Sequence, residues 1–264
     1  MAKTQKELAF LRDLYINDEW TQRFADLVDR HLDLTDSENL LYINAGTGGH
    51  AMAIEERFGE KTDIFAFCEN EDLLRIARDK AAAISSRVDF SSIRFDDDAF
   101  DAVLADASLV HPADLEEFIE NAVRVAKAGG DVAIFLPGAG SFGEILSLLW
   151  EVLFTDGLGS RGAIAEELVS QIPTVHRIEE IAKREGLVNI RTETAKEVFE
   201  YEDGAEFIAS PLVSDFLLPA WLETLDEDEK TQVSEKLAQL IDSEEGSIPF
   251  SFSVSVVLLA GEKQ

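Results

Sequence analysis

Short apolar runs and stretches of helical periodicity alternate along the first half of the chain. A short apolar run predicts a buried strand, whereas apolar residues three and four positions apart predict an amphipathic helix. The predicted strands are 40–44, 63–68, 88–90, 100–105 and 131–136, and the predicted helices are an N-terminal region spanning Leu8 to Leu32, 50–58, 71–84 and a helix after Asp114. Strands that alternate with helices predict an α/β protein with a parallel, doubly wound sheet, which binds ligands at the carboxyl ends of its strands.

Turn and capping residues mark the ends of several of these elements. Gly59 directly follows helix 50–58, as is common at helix C-termini. Asp114 and Glu117 have the spacing of a capping box. The pair Gly129-Gly130 predicts a turn into the strand 131–136.

After Leu136 the spacing of the predicted strands widens. The next strands, 188–192 and 250–260, follow intervals much longer than a parallel crossover needs. Both intervals are rich in apolar residues: Phe142, Ile145, Leu146, Leu148, Leu149, Trp150, Leu153 and Phe154 in the first, and Phe207, Phe216, Leu217, Leu218 and Trp221 in the second. They predict helical insertions that either form a cap with an apolar substrate chamber or extend the core.

These patterns divide the chain into four segments. They are an N-terminal helical segment (1–38), a Rossmann-like core (39–137), a helical insertion that forms a cap (138–187), and C-terminal strands (188–264) with a second helical insertion at 203–247.

The composition predicts a cytoplasmic protein. With 264 residues, 46% of them apolar, the chain can bury a large core. No segment reaches the ~18 uncharged apolar residues of a membrane span, and the start of the chain lacks the apolar region of a secretion signal. Cys68 is the only cysteine, which excludes an intrachain disulfide and a multi-cysteine zinc site. We expect no metal and no membrane partner.

The charge balance argues against a nucleic-acid partner. The chain has 53 acidic and 23 basic side chains, a net charge of −30, and no cluster of lysine and arginine that would bind a phosphate backbone. We interpret the acidity as a solvated surface, compatible with a salty cytosol. The acidic segment 223–245 keeps helical periodicity through Val233, Leu237, Leu240 and Ile241, so we expect a solvated helix there.

The run from Asn39 to Ile54 is a strand that breaks into a glycine turn and opens a helix. Gly46 and Gly48 permit positive φ and a close approach of backbone to ligand, and the first turn of the helix directs unpaired N–H groups to the same place. The turn predicts a nucleotide-cofactor site. The alternative is a purely structural connection, and Gly46-x-Gly48-x-x-Ala51 also fits a loose dinucleotide pattern.

This turn and four later segments occur in the order of a known enzyme family. The segments are 42–50 (Tyr-Ile-Asn-Ala-Gly-Thr-Gly-Gly-His), 65–78, 89–90, 95–103 and 124–130. Over residues 39–137 the chain resembles the class I S-adenosylmethionine-dependent methyltransferases, in particular their small-molecule group. The resemblance implies a mostly parallel, Rossmann-like sheet of seven strands with an antiparallel last strand, S-adenosylmethionine as cofactor, and a small-molecule substrate.

The chain departs from the family pattern in its first two motifs. The family's first acid falls on Tyr42, its first glycine on Asn44 and its ribose-binding acid on Cys68. A thiol cannot replace a carboxylate that accepts bonds from two ribose hydroxyls. We therefore expect Glu69, one residue later, to bind the ribose; the alternative is an acid that only complements the helix dipole. Asn44 is expected to fix the turn or the methionine end of the cofactor.

The resemblance assigns the adenine end of the cofactor to Asp89 and Phe90. Asp89 stands where the family's acid receives the adenine amino group, and Phe90 is available for the adenine face. The alternative for Asp89 is a solvated loop acid.

The residues after the fourth strand are expected near the transferred methyl group. They are Asp106, which we count among the cofactor-binding residues, Ser108 and His111. His111 is a candidate general base for an acceptor hydroxyl or amine, or else an ordinary loop residue before Pro112. Proximity and desolvation supply most of the acceleration of methyl transfer, so no catalytic side chain is obligatory.

Two functional hypotheses follow from the sequence. The first is S-adenosylmethionine-dependent methyl transfer to a small, apolar or aromatic metabolite at O, N or C. The second is a methyltransferase-like binding or regulatory protein without catalysis, motivated by Tyr42, Asn44 and Cys68. A nicotinamide-dependent oxidoreductase fits less well, because it does not explain the ordered downstream segments. The acceptor and the oligomeric state stay open.

Overall fold

The computed structural model describes residues 3–32, 37–155, 163–245 and 249–264. The predicted segments 1–38, 138–187 and 203–247 therefore each include residues outside the described ranges. The first two residues, part of the start that predicts no secretion signal, also lie outside them.

From β1 to β5 the described strands and helices alternate, except that β4 follows β3 without a helix between them. The helices are α1 (Gln5–Leu11), α2 (Gln22–His31), α3 (Gly49–Phe58), α4 (Glu71–Ile84), α5 (Leu115–Val125), α6 (Gly143–Thr155), α7 (Ala163–Gln171), α8 (Val175–Arg184), α9 (Gly204–Ala209), α10 (Leu218–Trp221) and α11 (Glu227–Glu245). The strands are β1 (Asn39–Ile43), β2 (Asp63–Phe67), β3 (Asp89–Ser91), β4 (Phe100–Asp106), β5 (Ala126–Gly138), β6 (Leu187–Tyr201) and β7 (Phe250–Lys263). Two π-helical stretches, Arg12–Thr21 and Leu212–Leu217, continue into α2 and α10. Within the described ranges, no helix has the length and apolar character that crossing a membrane requires.

The strands form one seven-stranded sheet in the order β3-β2-β1-β4-β5-β7-β6. The first five strands are parallel, with Leu41 of β1 beside Phe65 of β2 and Val103 of β4, and the last strands are antiparallel. The direction of winding reverses between β1 and β4, which is where open α/β sheets bind their ligands. The predicted doubly wound, Rossmann-like sheet is confirmed.

Strand β1 is buried on both faces, which explains its continuous apolar run. Leu41 and Ile43 belong to a buried cluster that includes Ile119 of α5. Tyr42 faces the other layer, where its ring centroid lies 6.5 Å from that of Phe135. The carboxyl end of β1 is thus held by packing on two sides.

Helix α4 begins and ends where the sequence predicts. Asn70 Oδ1 accepts the backbone N–H groups of Asp72 and Leu73 at 3.1 and 3.0 Å. The helix ends at Ile84, and Ser85 follows with a φ of 59°. A capping side chain and a left-handed residue are strong local signals, so this helix could be predicted to the residue.

The predicted capping box at Asp114 and Glu117 is wrong. Asp114 makes no side-chain bond to the start of α5. His111 Nδ1 instead accepts the backbone N–H of Ala113 at 3.2 Å, at the start of the turn Pro112–Asp114. Asp114 already has helical backbone angles, so its carboxylate does not face the first N–H groups of α5.

Strand β5 is longer than predicted. It begins at Ala126, and it contains the pair Gly129-Gly130 that the sequence predicts as a turn. Its pairing with β4 shifts register between Phe100 and Ala102, an irregularity that glycines accommodate. Strands β6 and β7 also extend beyond their predicted ends. Much of β6 is exposed and polar, so it has no apolar run that could mark its length.

The chain separates into two compact units. Unit 1 comprises Met1–Leu136, Val175–Ala195 and Val256–Gln264, and unit 2 comprises Pro137–Thr174 and Lys196–Ser255. Unit 2 has an aromatic core of its own, in which the rings of Phe199 and Phe252 stack at 4.9 Å and Phe207 meets Phe250 edge to face at 5.1 Å. The four-segment division stays a prediction, as does an apolar substrate chamber formed by the insertions.

Candidate functional site

The turn after β1 has the backbone conformation that its glycines predict. Gly46 and Gly48 have φ of 58° and 79°, and Asn44 also has a positive φ, 57°. Gly48 precedes the first turn of α3. A Cβ on Gly48 would lie 2.5 Å from the ring of Phe90, so neither the backbone angle nor the space permits a side chain.

Glu69 lies against this turn. Its Oε2 accepts the backbone N–H of Gly46 at 3.2 Å. Its Oε1 lies 2.5 Å from Nη1 of Arg12. The structure therefore brings Glu69 together with the glycine turn, although the two are far apart in the sequence.

Arg12 also lies at this turn, and it is not among the residues predicted from the sequence. It begins the π-helical stretch, its side chain is only 14% exposed, and its guanidinium lies 3.2–3.4 Å from the position that a Cβ on Gly46 would take. Burial alone would lower the pKa of Arg12, but the charges of Glu69 and Asp106 outweigh it and raise that pKa. The sequence holds one signal that Arg12 faces inward. Arg12 precedes the buried Ile16 by one helical turn, so the two side chains lie on the same face of the helix.

Asp106 ends β4 beside the same turn and is only 3% exposed. Its Oδ1 accepts the backbone N–H of Ser108 at 2.8 Å, and its backbone carbonyl accepts Nδ2 of Asn44 at 3.2 Å. Burial raises the pKa of Asp106 to about 6, although the nearby charge of Arg12 acts in the opposite direction. Asn44 thus ties the end of β1 to the end of β4.

A small cavity of about 10 Å³ lies at the turn. It is lined by Arg12, Asn17, Thr21, Ala45, Gly46, Thr47 and Asp106. Within the described part of the chain, the buried Oγ1 of Thr47 has no hydrogen-bond partner. Such a cavity holds about one water at most.

Tyr42 takes part in a different network. Its hydroxyl lies 2.9 Å from Nδ1 of His50, and Nε2 of His50 lies 3.2 Å from Oδ1 of Asp29. Burial, and then the charge of Asp106, raises the pKa of Tyr42 well above its usual value, so the phenol is neutral. Tyr42 therefore joins β1 to the first turn of α3.

The side chain of Cys68 is fully buried. Burial raises the pKa of this thiol to about 12. Its backbone N–H donates to the carbonyl of Ser91 at 2.8 Å, which continues the pairing of β2 with β3. A buried neutral thiol offers no acceptor for ribose hydroxyls, whereas Glu69 presents a carboxylate at the turn.

The other predicted site residues are placed differently. Asp89 pairs with Phe65, before the carboxyl end of β2, and is exposed, so the structure does not bring it together with Glu69. Phe90 is buried against Gly48. His111 is half-buried and caps the turn before α5. The roles proposed for these residues stay predictions.

A larger cavity of about 300 Å³ lies between the sheet and α5. It is lined by Leu41, Ile43, Phe67, Arg94, Phe95, Glu117, Glu120, Asn121, Arg124 and Val125. Arg124 donates to Asn121 Oδ1 and to the carbonyl of Phe95, and it forms an ion pair with Asp97.

Comparison with known proteins gives sequence matches to methyltransferases. Residues 41–134 match the family described as "methyltransferase domain". Demethylmenaquinone methyltransferase of Shouchella clausii is 27% identical over 110 residues, which is 39% of this chain and 46% of that protein. The glycine/sarcosine/dimethylglycine N-methyltransferase of Actinopolyspora halophila is 26% identical over 155 residues, 56% of this chain and 27% of that protein. The chain thus spans less than half the length of these relatives.

Solved structures share the fold. The YcgJ protein of Bacillus subtilis has a TM-score of 0.60 at 14% identity and covers 92% of this chain and 99% of its own. Another is Haemonchus contortus phosphoethanolamine N-methyltransferase 2, in complex with phosphomonomethylethanolamine and S-adenosylhomocysteine. It has a TM-score of 0.55 at 18% identity, and the match covers 98% of this chain and 58% of that chain. Residues 41–134 are therefore similar to a methyltransferase domain, and the chain shares the fold of these solved structures.

Proposed function

We propose that the protein binds S-adenosylmethionine at the glycine turn and transfers its methyl group to a small, apolar or aromatic metabolite. The observation that carries the proposal is the contact of Glu69 with Gly46. A carboxylate at the end of β2, beside a glycine turn at the end of β1, has the position and the chemistry to accept bonds from ribose hydroxyls.

The donors and acceptors at the turn fit this cofactor. Glu69 would hold the ribose, and the turn at Gly46 and Gly48 would approach the methionine end. The hydroxyl of Thr47, which has no partner among the described residues, lies at the same turn. Arg12 adds a cation for a carboxylate. When bound, the cofactor supplies a methyl group on a positively charged sulfur.

The space at the turn sets a condition on binding. The cavity there is far smaller than a nucleoside, and Arg12 lies over Gly46. The side chain of Arg12 must therefore leave this position when the ligand enters. The ring of Phe90 packs against the turn at Gly48.

We assign the protein a mainly positioning role in catalysis. Alignment of the acceptor with the methyl group and exclusion of water supply most of the acceleration. We propose that Asp106 or His111 accepts the proton of an acceptor hydroxyl or amine, since Asp106 ends β4 and His111 follows that strand.

The proposed substrate class and location rest on composition. The net charge of −30 disfavours polyphosphate partners. The apolar residues of the two insertions favour an apolar or aromatic acceptor. A cytoplasmic location agrees with the single, buried cysteine.

A second candidate is a methyltransferase-like protein that does not catalyse transfer. Three observations favour it: Tyr42 bonds to His50 and not to a ligand position, Cys68 is buried, and Arg12 fills the space at Gly46. A protein of this kind would bind the cofactor weakly or use it only as a signal.

A transfer assay separates the two candidates. The protein is incubated with methyl-labelled S-adenosylmethionine and a panel of small apolar and aromatic hydroxy, amino and carbon acceptors, and labelled product and S-adenosylhomocysteine are quantified. We expect label in at least one acceptor, with equimolar S-adenosylhomocysteine. Tight binding of the cofactor without transfer to any acceptor class would favour the second candidate.

A further inference from the structure

The connection from β3 to β4 leaves part of the sheet without a covering helix. Residues 92–99 form a short irregular crossover, which must pass β2 and β1 in the strand order. Parallel crossovers usually contain a helix that buries the apolar face of the sheet. Here Phe95 packs on the sheet, with its ring centroid 6.4 Å from that of Phe65 on β2, whereas Ile93 is 76% exposed. The cavity of about 300 Å³ lies beside Phe95.

This cavity is separate from the small cavity at the glycine turn. Its floor is formed by Leu41, Ile43 and Phe67. Leu41 and Ile43 pack in the layer of α5, whereas Tyr42 faces the other side of β1. The two cavities share no lining residue, and all residues that line the larger one belong to unit 1. A ligand in the larger cavity does not need the groups that we assign to the cofactor.

Fixed bonds hold the wall of the cavity. Arg124 of α5 donates to Oδ1 of Asn121 at 2.9 Å and to the carbonyl of Phe95 at 3.1 Å, and it forms an ion pair with Asp97. The backbone N–H of Asp98 donates to the carbonyl of Arg124 at 3.1 Å. The crossover is thus tied to α5, so the cavity has a defined shape.

Three charged side chains at the cavity are available to a ligand. Glu117 and Glu120 lie three residues apart on one face of α5, and Arg94 lines the cavity from the crossover. Within the described part of the chain, none of the three forms an ion pair or a side-chain hydrogen bond. Arg124 is already paired with Asp97. Two carboxylates therefore outnumber one available guanidinium, and the cavity attracts a cation.

We propose that this cavity is a second small-molecule site, which binds an aromatic amine in its ammonium form. The aromatic ring lies on the apolar floor beside Phe95, and the ammonium group donates charge-assisted hydrogen bonds to Glu117 and Glu120. A volume of about 300 Å³ is at the lower end of the range for ligand cavities, which suits one ring system with a short side chain. The inference goes beyond the proposed function, because the site uses none of the cofactor-binding residues.

The test uses three indoles whose side chains differ in charge: tryptamine, a cation; indole-3-ethanol, which is neutral; and indole-3-propionate, an anion. Each is titrated calorimetrically at neutral pH into the wild type, the double variant Glu117→Gln/Glu120→Gln, Arg94→Gln and Glu116→Gln. Glu116 is the matched control, because it lies on the same helix but pairs with Arg177 and Arg184 and does not line the cavity.

We expect the wild type and Glu116→Gln to bind tryptamine with a dissociation constant below about 1 mM and to prefer it to indole-3-ethanol by about tenfold. Binding of indole-3-propionate should be weaker still. In the double variant the preference for tryptamine should fall to within about twofold of unity. Arg94→Gln should bind tryptamine about two- to fivefold more tightly, because it removes an exposed like charge. The affinity for S-adenosylhomocysteine should be the same in all four proteins.

Several results would overturn the inference. They are equal binding of the three indoles by the wild type, no binding of tryptamine at about 10 mM, and an undiminished preference in the double variant. A loss in Glu116→Gln as large as that in the double variant would show that the charge acts from a distance, with the same consequence. Mutual exclusion of tryptamine and S-adenosylhomocysteine would move the amine to the cofactor site and also overturn the inference. If tryptamine binds through Glu117 and Glu120 while S-adenosylhomocysteine does not bind, the proposed function alone fails.

Discussion

The ring of Phe90 occupies the position that a side chain on Gly48 would need, with Cζ 2.5 Å from an ideal Cβ. Phe90 lies on β3 and Gly48 directly precedes α3, so this contact packs the edge of the sheet against the glycine turn. The turn is therefore shaped by the core as well as by its own backbone preferences.

Gly48→Ala should destabilise the fold by about 1–3 kcal/mol, because it adds an overpacked contact to the cost of a left-handed backbone. Gly186→Ala is the control, since Gly186 also has a positive φ, 99°, and nothing lies within 4 Å of its Cβ position. Urea unfolding of both variants measures the difference. Equal losses of stability would show that Phe90 moves aside without cost.

Gly46→Val should abolish binding of S-adenosylhomocysteine and leave the fold largely intact. A branched side chain opposes the φ of 58° and would meet the guanidinium of Arg12 at 3.2–3.4 Å. Calorimetric titration beside far-ultraviolet circular dichroism tests both parts. If the variant binds as tightly as the parent, the turn is only a structural connection.

Glu69→Gln should weaken binding of S-adenosylhomocysteine by about ten- to a hundredfold, because charge-assisted bonds to the ribose are lost. Cys68→Ser should change it little, since that side chain is buried away from solvent. Cys68→Asp, which restores the family pattern, should tighten binding only if the ribose lies there. Unchanged affinity in Glu69→Gln beside tighter binding in Cys68→Asp would reassign the ribose to position 68.

Asp106 should give the stability a distinct pH dependence. Its pKa in the fold is about 6, above the ordinary value of about 3.9. A carboxyl that holds its proton more tightly when folded stabilises the protein below about pH 4, and this contribution is lost as the pH rises through 6. Asp106→Asn should therefore gain stability relative to the wild type between pH 4 and 8, by on the order of 2–3 kcal/mol.

The control for this experiment is Asp101→Asn. The hydrogen bond from Lys127 and the backbone N–H of Asn39 lower the pKa of Asp101, so its charged form stabilises the fold. This variant should lose stability relative to the wild type as the pH rises. Urea midpoints across the pH range measure both trends, and a pH-independent difference for Asp106→Asn would contradict the assignment.

The sequence predicted the parts of the fold that local chemistry determines. Strand β1 depends on its own apolar run, and α4 depends on the Asn70 cap directly before it. Both elements lie within a residue of their predicted bounds. The capping box at Asp114 failed because a neighbouring side chain, His111, caps the turn first.

The site could be predicted only in part, because its contacts cross the chain. The glycine turn and Glu69 each have a local signature, and the fold brings them together. Arg12 lies in a helix that precedes the core, and only the three-dimensional structure reveals its position over Gly46. The role of Tyr42 was likewise not predicted, because its contacts with His50, and through it with Asp29, join separate parts of the chain.

Direct titration with S-adenosylhomocysteine is the best test of whether this chain binds S-adenosylmethionine or its product at the glycine turn. We expect a dissociation constant below about 100 μM, equivalent to roughly 5.5 kcal/mol or more, with no comparable binding of NAD run in parallel. The absence of both heat and thermal shift at millimolar S-adenosylhomocysteine would show that the glycine turn does not bind this cofactor.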